Sequence, residues 1–435
     1  MNVLLIGSGA REHALASAIR RSPSLSALYI TPGNPGTATI GTNLSLDWSN
    51  HEACLRFLSD NHIELVIIGP EQPLVEGVSD FLRDHGYPVF GPSRAAAAIE
   101  SSKVFAKQIM AKMNVPTAAY KNFVKDDLNN ALDYVRHADY PLVIKADGLA
   151  AGKGVAICHT IDDAESVLQQ MLIEQQFGLA GAEVLVEEFL DGEEASVFAV
   201  TDGEKFVCLP AAQDHKRIGE GDTGKNTGGM GAYAPAPLMT QELMDQVAIG
   251  IIEPVLRGMR EESVPFNGCL YCGLMITSKG PKVVEFNCRF GDPETQVVLP
   301  LLEGDILELF YSAAAGDLHE TAVAYNGKCA VTVVMASSGY PDAFSKGLPL
   351  QIQYPPASAG KEIQLLHAGT AYREGTLVTA GGRVVSVTAI RDDGNLKNCI
   401  SDVYDAVKAV SFPQSYFRKD IGAKALRNLV SGNQS

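Results

Sequence analysis

Apolar runs of four or so residues alternate with amphipathic stretches through the first hundred positions. Val3–Ile6, Leu28–Thr31, Leu65–Ile68 and Val89–Phe90 read as buried strands, and the stretches near Arg11–Arg20, His51–Asp60 and Leu74–His85 as helices between them. Such alternation predicts a doubly wound parallel sheet, because parallel neighbours need a crossover and a helix is the usual one. Gly91-Pro92-Ser93 marks the end of that unit. A helix near Lys103–Met113 follows, then strands at Ala118–Phe123 and Leu142–Lys145 that run into a glycine-rich loop, Asp147–Gly154. The mixed pattern continues to about Gly316, broken by a long loop from Ala211 to Ala232. Its glycines and sparse charges suit recognition, as long loops in compact domains often do. Strands at Cys329–Met335, Ile363–His367 and Val384–Ile390, with a helix near Asn395–Val410, read as a small α+β unit.

Charge narrows the partners. A formal net charge of -16 repels phosphate polymers and anionic lipid, so neither nucleic acid nor membrane is expected as a partner. Small anionic substrates stay open, because a few local cations override a distant field. No apolar stretch approaches the roughly 20 residues that span a bilayer. Met1–Gly7 lacks a basic flank and a cleavage site, and reads as a strand rather than a signal peptide. The eight cysteines sit mostly in apolar segments, as reduced buried thiols do, which points to the cytoplasm. The one close pair, Cys269 and Cys272, has no second pair at zinc-site spacing.

Candidate chemistry begins after the first strand. Gly7-Ser8-Gly9-Ala10-Arg11-Glu12 departs from the dinucleotide fingerprint: Glu12 replaces the third glycine, and no acidic residue ends the second strand. The physics of an anion site survives, since glycines open a helix N-terminus and Arg11 adds a forked cation. The turn Pro32-Gly33-Asn34-Pro35-Gly36-Thr37 offers further backbone donors, and Gly69-Pro70-Glu71 lies at the same carboxyl edge. A sugar phosphate fits there, with Glu71 or Glu12 on hydroxyls or an amine.

Lys145-Ala146-Asp147-Gly148-Leu149-Ala150-Ala151-Gly152-Lys153-Gly154 has the wrong glycine spacing for a Walker A loop. It leaves a lysine ending an apolar strand and a flap whose backbone N–H groups could close over a triphosphate. In Glu187-Glu188-Phe189-Leu190-Asp191-Gly192-Glu193-Glu194 a strand leaves the core into an extended hinge, whose backbone could pair with an adenine edge while Glu194 holds ribose hydroxyls. Period-two alternation puts Glu285, Asn287 and Arg289 on one face of a strand, with Val284, Phe286 and Cys288 on the other. Glutamate and amide oxygens suit Mg²⁺, and Arg289 could stabilise a transferring phosphoryl group.

Several segments together resemble the phosphoribosylamine–glycine ligases of the ATP-grasp superfamily, along nearly the whole chain. They are Gly9–Leu15 (GAREHAL), Pro32–Thr37 (PGNPGT), Gly69–Leu74 (GPEQPL), Glu100–Lys103 (ESSK), Lys145–Val155, Glu187–Ser196, Asp222–Tyr233 (DTGKNTGGMGAY) and Glu285–Gln296 with its RFGDPE. The resemblance implies ATP-dependent joining of glycine to 5-phosphoribosylamine through glycyl phosphate. It also implies ATP with Mg²⁺ or Mn²⁺ as cofactors, and a monomer or homodimer. By this likeness Lys103, Lys145, Gly152 and Lys153 hold phosphates, Glu187, Glu188, Phe189 and Leu190 form the adenine hinge, and Glu194 takes the ribose. Glu285 and Asn287 ligate the metal, while Arg289, Lys145 and Lys216 act in catalysis. Gly9, Arg11, Glu12, Asn34, Pro35, Gly36, Thr37 and Glu71 contact the sugar phosphate. Asp214, Asn226, Thr227, Gly228, Asp292 and Glu294 contact the remaining substrate, the loop Asp214–Gly231 closing over glycine.

The implied organisation is a doubly wound sugar-phosphate domain at 1–102, an ATP-grasp domain at 103–320 with a flap near 120–192, and a C-terminal α+β domain at 321–435. Three positions depart from the expected pattern: Ala10 replaces a glycine, Lys225 replaces a proline, and the strand Gly268–Ile276 carries no carboxylate to share the metal. The alternative is another ATP-grasp carboxylase or formyltransferase of purine metabolism.

Overall fold

A computed structural model describes residues 1–48, 50–148, 154–174, 183–353 and 358–432, with side chains to 427. The first hundred residues form β1 (Asn2–Gly7), α1 (Ala10–Ile19), β2 (Ala27–Pro32), β3 (Thr42–Asn43), α2 (His51–Asp60), β4 (Ile63–Ile68), α3 (Glu71–Val75), α4 (Val78–Asp84) and β5 (Val89–Phe90). The sheet is parallel in the order β3-β2-β1-β4-β5, so its strands reverse direction of winding at β1. Val3, Leu4 and Leu5 of β1 are fully buried because both faces of the sheet are covered. The single helix expected at Leu74–His85 is two, because Gly77 adopts φ 88° between them.

Two helices, α5 (Arg94–Ser101) and α6 (Lys103–Lys112), lead into a four-stranded antiparallel sheet. It is built from β6 (Tyr120–Val124), β7 (Leu142–Ala146), β8 (Val155–Cys158) and β9 (Glu183–Glu188) in the order β6-β9-β7-β8. Strand β6 starts two residues later than the apolar run suggested. The helices α7 (Leu128–Arg136) and α8 (Ile161–Leu172) complete its small separate core. A second antiparallel sheet, in the order β11-β10-β16-β17, comprises β10 (Glu193–Thr201), β11 (Phe206–Cys208), β16 (Gly268–Thr277) and β17 (Gly280–Asn287).

The stretch Ala211–Ala232 is not the open loop expected from its glycines. It folds as β12 (Gln213–Asp214), a hairpin of β13 (Arg217–Gly219) and β14 (Thr223–Asn226), and β15 (Gly231–Ala234). Strands β12 and β15 then join β18 (Cys329–Ser337), β19 (Lys361–His367), β20 (Arg383–Arg391) and β21 (Ser415–Tyr416) in one sheet. Residues from mid-chain thus form the edge of the C-terminal sheet. The helix Leu396–Val407 packs its apolar face, including Cys399, Val403 and Val407, on that sheet.

Candidate active site

The second antiparallel sheet sets the floor of the site. Register places Ser196 opposite Gly273 and Gly273 opposite Glu285; one row along, Phe198 faces Tyr271 and Tyr271 faces Asn287. Since residues two apart share a face, Glu194, Ser196, Tyr271, Glu285 and Asn287 stand on one side of this sheet. The residue opposite Glu285, Gly273, has no side chain, so the face beside Glu285 is open. A bulge shifts the register at Gly273/Leu274, so Val283 rather than Val284 turns into the core. That correction to simple alternation has a use: the carbonyl of the displaced Val284 accepts a hydrogen bond from Lys145 Nζ at 3.1 Å.

Lys145 is the penultimate residue of β7 and is 6% exposed. Its ammonium lies 2.8 Å from Glu187 Oε2, and Lys107 lies 3.3 Å from Glu187 Oε1. One buried carboxylate therefore serves two ammonium groups. Lys103 lies close by, its Nζ donating to the Gly148 carbonyl at 3.1 Å. Burial lowers the Lys103 pKa; Glu285 opposes that fall and Lys145 adds to it. Asp147 anchors the root of the glycine-rich loop to the first turn of α6, accepting from Val104 N at 2.7 Å and from Ser102 Oγ at 3.1 Å. The loop base is closed by Ala146 N donating to Gly154 O at 2.8 Å. Gly152 and Lys153 lie outside the described residues. At the hinge, Glu188 is engaged by Lys282 at 2.8 Å and by Ala119 N at 3.1 Å, Phe189 is exposed, and Leu190 is half-buried.

Lys216 crosses from the mid-chain segment to the same floor, 2.7 Å from Glu194 Oε2 and 3.9 Å from Glu285 Oε1. Burial pulls its pKa down, but Glu194, Asp214, Tyr271 and Glu285 prevail and hold it well up. Asp214 is pushed up to about 8 by burial, against the pull of Lys216 and with the repulsion of Glu294, Glu194 and Glu285. Ser196 Oγ donates to Glu294 Oε1 at 3.1 Å and lies 3.0 Å from the Tyr271 hydroxyl, fixing buried Glu294 beside this group. Lys216 thus lies within 4 Å of two carboxylates, Glu194 and Glu285, with the raised Asp214 carboxyl beside them.

Arg289 is held by Glu71 at 3.2 Å and by Glu100 at 2.9 Å. Burial opposes the protonated guanidinium, yet Glu100 and Glu71 raise its pKa further. Glu100 also accepts from Cys288 N at 2.7 Å and, with the Asn287 amide nitrogen turned toward it, from Asn287 at 3.2 Å. That amide orientation is the one that satisfies both ends, its nitrogen donating to Glu100 and to the Phe286 carbonyl, each at 3.2 Å. Glu100 and Lys107 are therefore organising residues that pattern reading missed. Glu100 lay within the ESSK segment, whereas nothing local distinguishes Lys107.

At the carboxyl edge of the parallel sheet, Glu12 occupies the space that its own bulk seemed to forbid. Cβ atoms on Gly7 or Gly69 would lie 2.4 or 2.2 Å from Glu12 side-chain atoms, so these two glycines make its room. Glu12 accepts from Gly9 N at 2.6 Å and pairs with Arg11 at 2.6 Å, and Arg11 also donates to Phe290 O at 3.0 Å. Its carboxylate is thus an organiser of the loop. Asn34 is similar: its amide nitrogen reaches Ser8 O at 2.8 Å and His367 O at 2.9 Å, while its oxygen accepts from Gly36 N and Thr37 N. Thr37 is fully buried, Pro35 half-buried, and Gly36 packs against His13 and His367.

The remaining candidates meet beside the C-terminal sheet, around Arg383 at the start of β20. Arg383, another residue without a sequence signal, binds Asp292 Oδ2 at 3.0 Å and the Gly228 carbonyl at 2.6 Å. Thr227 caps back onto Lys216 O at 2.8 Å, and Asn226 ends β14 opposite Arg217.

This arrangement has counterparts. Family models for phosphoribosylglycinamide synthetase match its N domain at residues 1–100, its ATP-grasp domain at 101–295 and its C domain at 330–424. Phosphoribosylamine–glycine ligase of Rhizobium meliloti is 49% identical over 427 residues, covering 98% of this chain and 99% of that protein. The enzyme of the same name from Brucella melitensis is 47% identical over 98% of both. A crystal structure of phosphoribosylamine–glycine ligase from Thermotoga maritima superposes with a TM-score of 0.82 at 32% identity, covering 97% of this chain and all of that one. A biotin carboxylase domain from Hydrogenobacter thermophilus shares the fold at TM-score 0.72 and 15% identity, over 96% of this chain and 91% of that one. Full-length likeness at this level, on a chain that sets Lys145, Lys216, Glu285, Asn287 and Arg289 around one sheet face, places the protein in the phosphoribosylamine–glycine ligase family of ATP-grasp enzymes.

Proposed function

We propose that this chain joins glycine to 5-phosphoribosylamine in an ADP-forming reaction, with Lys216 at the centre of the carboxylate-lined floor as the supporting observation. A carboxylate is a poor electrophile, so the γ-phosphoryl group of ATP is first transferred to the glycine carboxylate oxygen, releasing ADP. The amine of phosphoribosylamine then attacks the acyl carbon, phosphate departs with its electron pair, and the amine loses a proton.

The residues fit both charged partners. The clustered ammonium groups of Lys103, Lys107 and Lys145 suit a polyphosphate, and the carboxyl groups around Lys216 suit the ammonium of glycine. Among the described residues no three His, Cys, Asp or Glu are grouped to enclose a metal. Glu285 and the Asn287 oxygen are hard ligands for Mg²⁺ or Mn²⁺, which would complete their shell with phosphate oxygens and water. Such an ion supplies charge that offsets the polyphosphate. The chain's own contribution is positional. Lys145 and Lys103 orient phosphates under the flap with Gly152 and Lys153, residues 187–190 line the base, and Glu194 holds the ribose. Arg289 steadies the acyl phosphate, and Asp214, Glu294, Asp292 and the 226–228 turn receive glycine. Gly9, Arg11 and the 34–37 turn receive the sugar phosphate, with Glu12 shaping the loop and Glu71 at its rim.

The corresponding division is a sugar-phosphate domain at 1–102, an ATP-grasp domain at 103–320 with its flap near 120–192, and a closing domain at 321–435. The protein works in the cytoplasm as a monomer or homodimer; among the described residues no helix is long and apolar enough to cross a membrane. The test is ADP release with phosphoribosylamine generated in situ. Release should require glycine, cease on chelation and return with Mg²⁺ or Mn²⁺. Turnover with bicarbonate or formate in place of glycine would overturn the reading.

A further inference from the structure

The hairpin β13–β14, which follows Lys216 directly, has no core of its own. Every residue from Arg217 to Asn226 is half-buried or exposed. A lone two-stranded hairpin is marginal in water, so something else must set its position. The segment just after β21 supplies it. Arg418 is 1% exposed and uses all three guanidinium nitrogens. Nη1 donates to the Arg217 carbonyl at 3.0 Å and to Asp222 Oδ1 at 2.8 Å. Nε and Nη2 bind the two oxygens of Asp420 at 2.8 and 2.7 Å. Asp420 in turn accepts from Gly221 N at 2.8 Å, at the turn of the same hairpin. Lys424 reaches Asp222 Oδ2 at 2.5 Å, and the Tyr416 hydroxyl donates to Ile218 O at 2.8 Å. The grip covers strand β13 and the turn. Its own base is firm, since Tyr416 pairs with Ala336 in the C-terminal sheet and Tyr404 donates its hydroxyl proton to Arg418 O at 2.9 Å.

We propose that Arg418 is a positioning residue, fixing the hairpin from the C-terminal sheet and thereby setting Lys216 over the active-site floor. The proposal rests on the reading of Lys216 as a residue that acts on glycine or its acyl phosphate. A buried guanidinium forked onto two carboxylates and a carbonyl fixes direction as well as distance, which a lysine could not do. Misplacement of an acting group by an ångström is enough to lose about a hundredfold in rate.

Arg418→Met and Asp222→Asn test it in the full-length protein. Asp222→Asn keeps the shape, and its φ of 56° is one asparagine tolerates, so it covers the case in which Arg418→Met fails to fold. The expected result for each folded variant is a fall of about a hundredfold in kcat/KM for glycine, an unchanged KM for ATP, and new trypsin cleavage after Arg217 or Lys225. In a Lys216→Ala background the same substitutions should add nothing to the glycine defect. Wild-type kcat/KM for glycine with an intact protease pattern would overturn the proposal, as would fully additive losses in the double variants. A fully active Lys216→Ala protein would instead refute the assigned role of Lys216, leaving the hairpin's dependence on Arg418 to be read from the protease pattern alone.

Discussion

Glu100 shows how one side chain can organise residues far away in sequence. It receives the Cys288 amide, the Arg289 guanidinium and the Asn287 amide nitrogen, and so orients both the Asn287 side chain and the Arg289 cation. Glu100→Gln keeps the size but removes the charge that balances Arg289. Leaving a buried cation with half its partners should destabilise the fold by about 3 kcal/mol. It should also lower kcat by about a hundredfold with little change in KM for ATP, by steady-state assay and urea unfolding. An unchanged kcat would mean that Arg289 is oriented by Glu71 alone. Strand periodicity made Glu285, Asn287 and Arg289 legible as a face, because alternation is local. Glu100 and Lys107 were not legible as site residues, since their partners lie across long sequence separations and a helix face offers no comparable cue.

Among elements, the glycine-lined carboxyl edge of the parallel sheet was anticipated as a ligand edge, and the structure explains its apparent misfit. Glu12 needs Gly7 and Gly69 as neighbours. Gly69→Ala would drive a methyl group into a carboxylate pinned by Gly9 and Arg11. An overpacking penalty of about 2 kcal/mol is expected, seen as a lower urea midpoint, together with a higher KM for the amine substrate. A variant with wild-type values would show that the Gly9–Glu12 turn tolerates displacement. The parallel sheet itself was readable because its strands are long apolar runs between amphipathic helices. The segment 211–232 was misread as a loop because β12 and β15 are only two and four residues long, too short for an alternation to show. The strand character of β15 comes from a distant partner, β18, and that of β12 from β15.

Across the whole molecule, histidines seal the contacts between modules. His13 on α1 accepts through Nδ1 from the His367 amide at 2.9 Å, and the two rings lie 5.8 Å apart. Burial lowers their pKa values to about 3 and about 4, the first also by repulsion from His367. His215, buried against Tyr233 with no partner for either ring nitrogen among the described residues, is lowered by burial to about 4. These imidazoles are neutral in the fold but charge near pH 6.5 when unfolded, so the unfolded chain takes up protons first. Their contribution is complete above pH 6.5 and is lost as pH falls toward 4, by about 1.4 kcal/mol per pH unit for each histidine. Urea midpoints measured from pH 7 to 4.5 should fall accordingly, and His13→Gln should flatten part of that slope. The sheet shared by β12, β15 and β18 bears on how the protein is made. The residues that aim Lys216 are translated well before the strands and the arginine that hold them. A nascent chain makes Lys216 and its hairpin early, but strand β15 beside them has no sheet to join until residues 330–333 have been made.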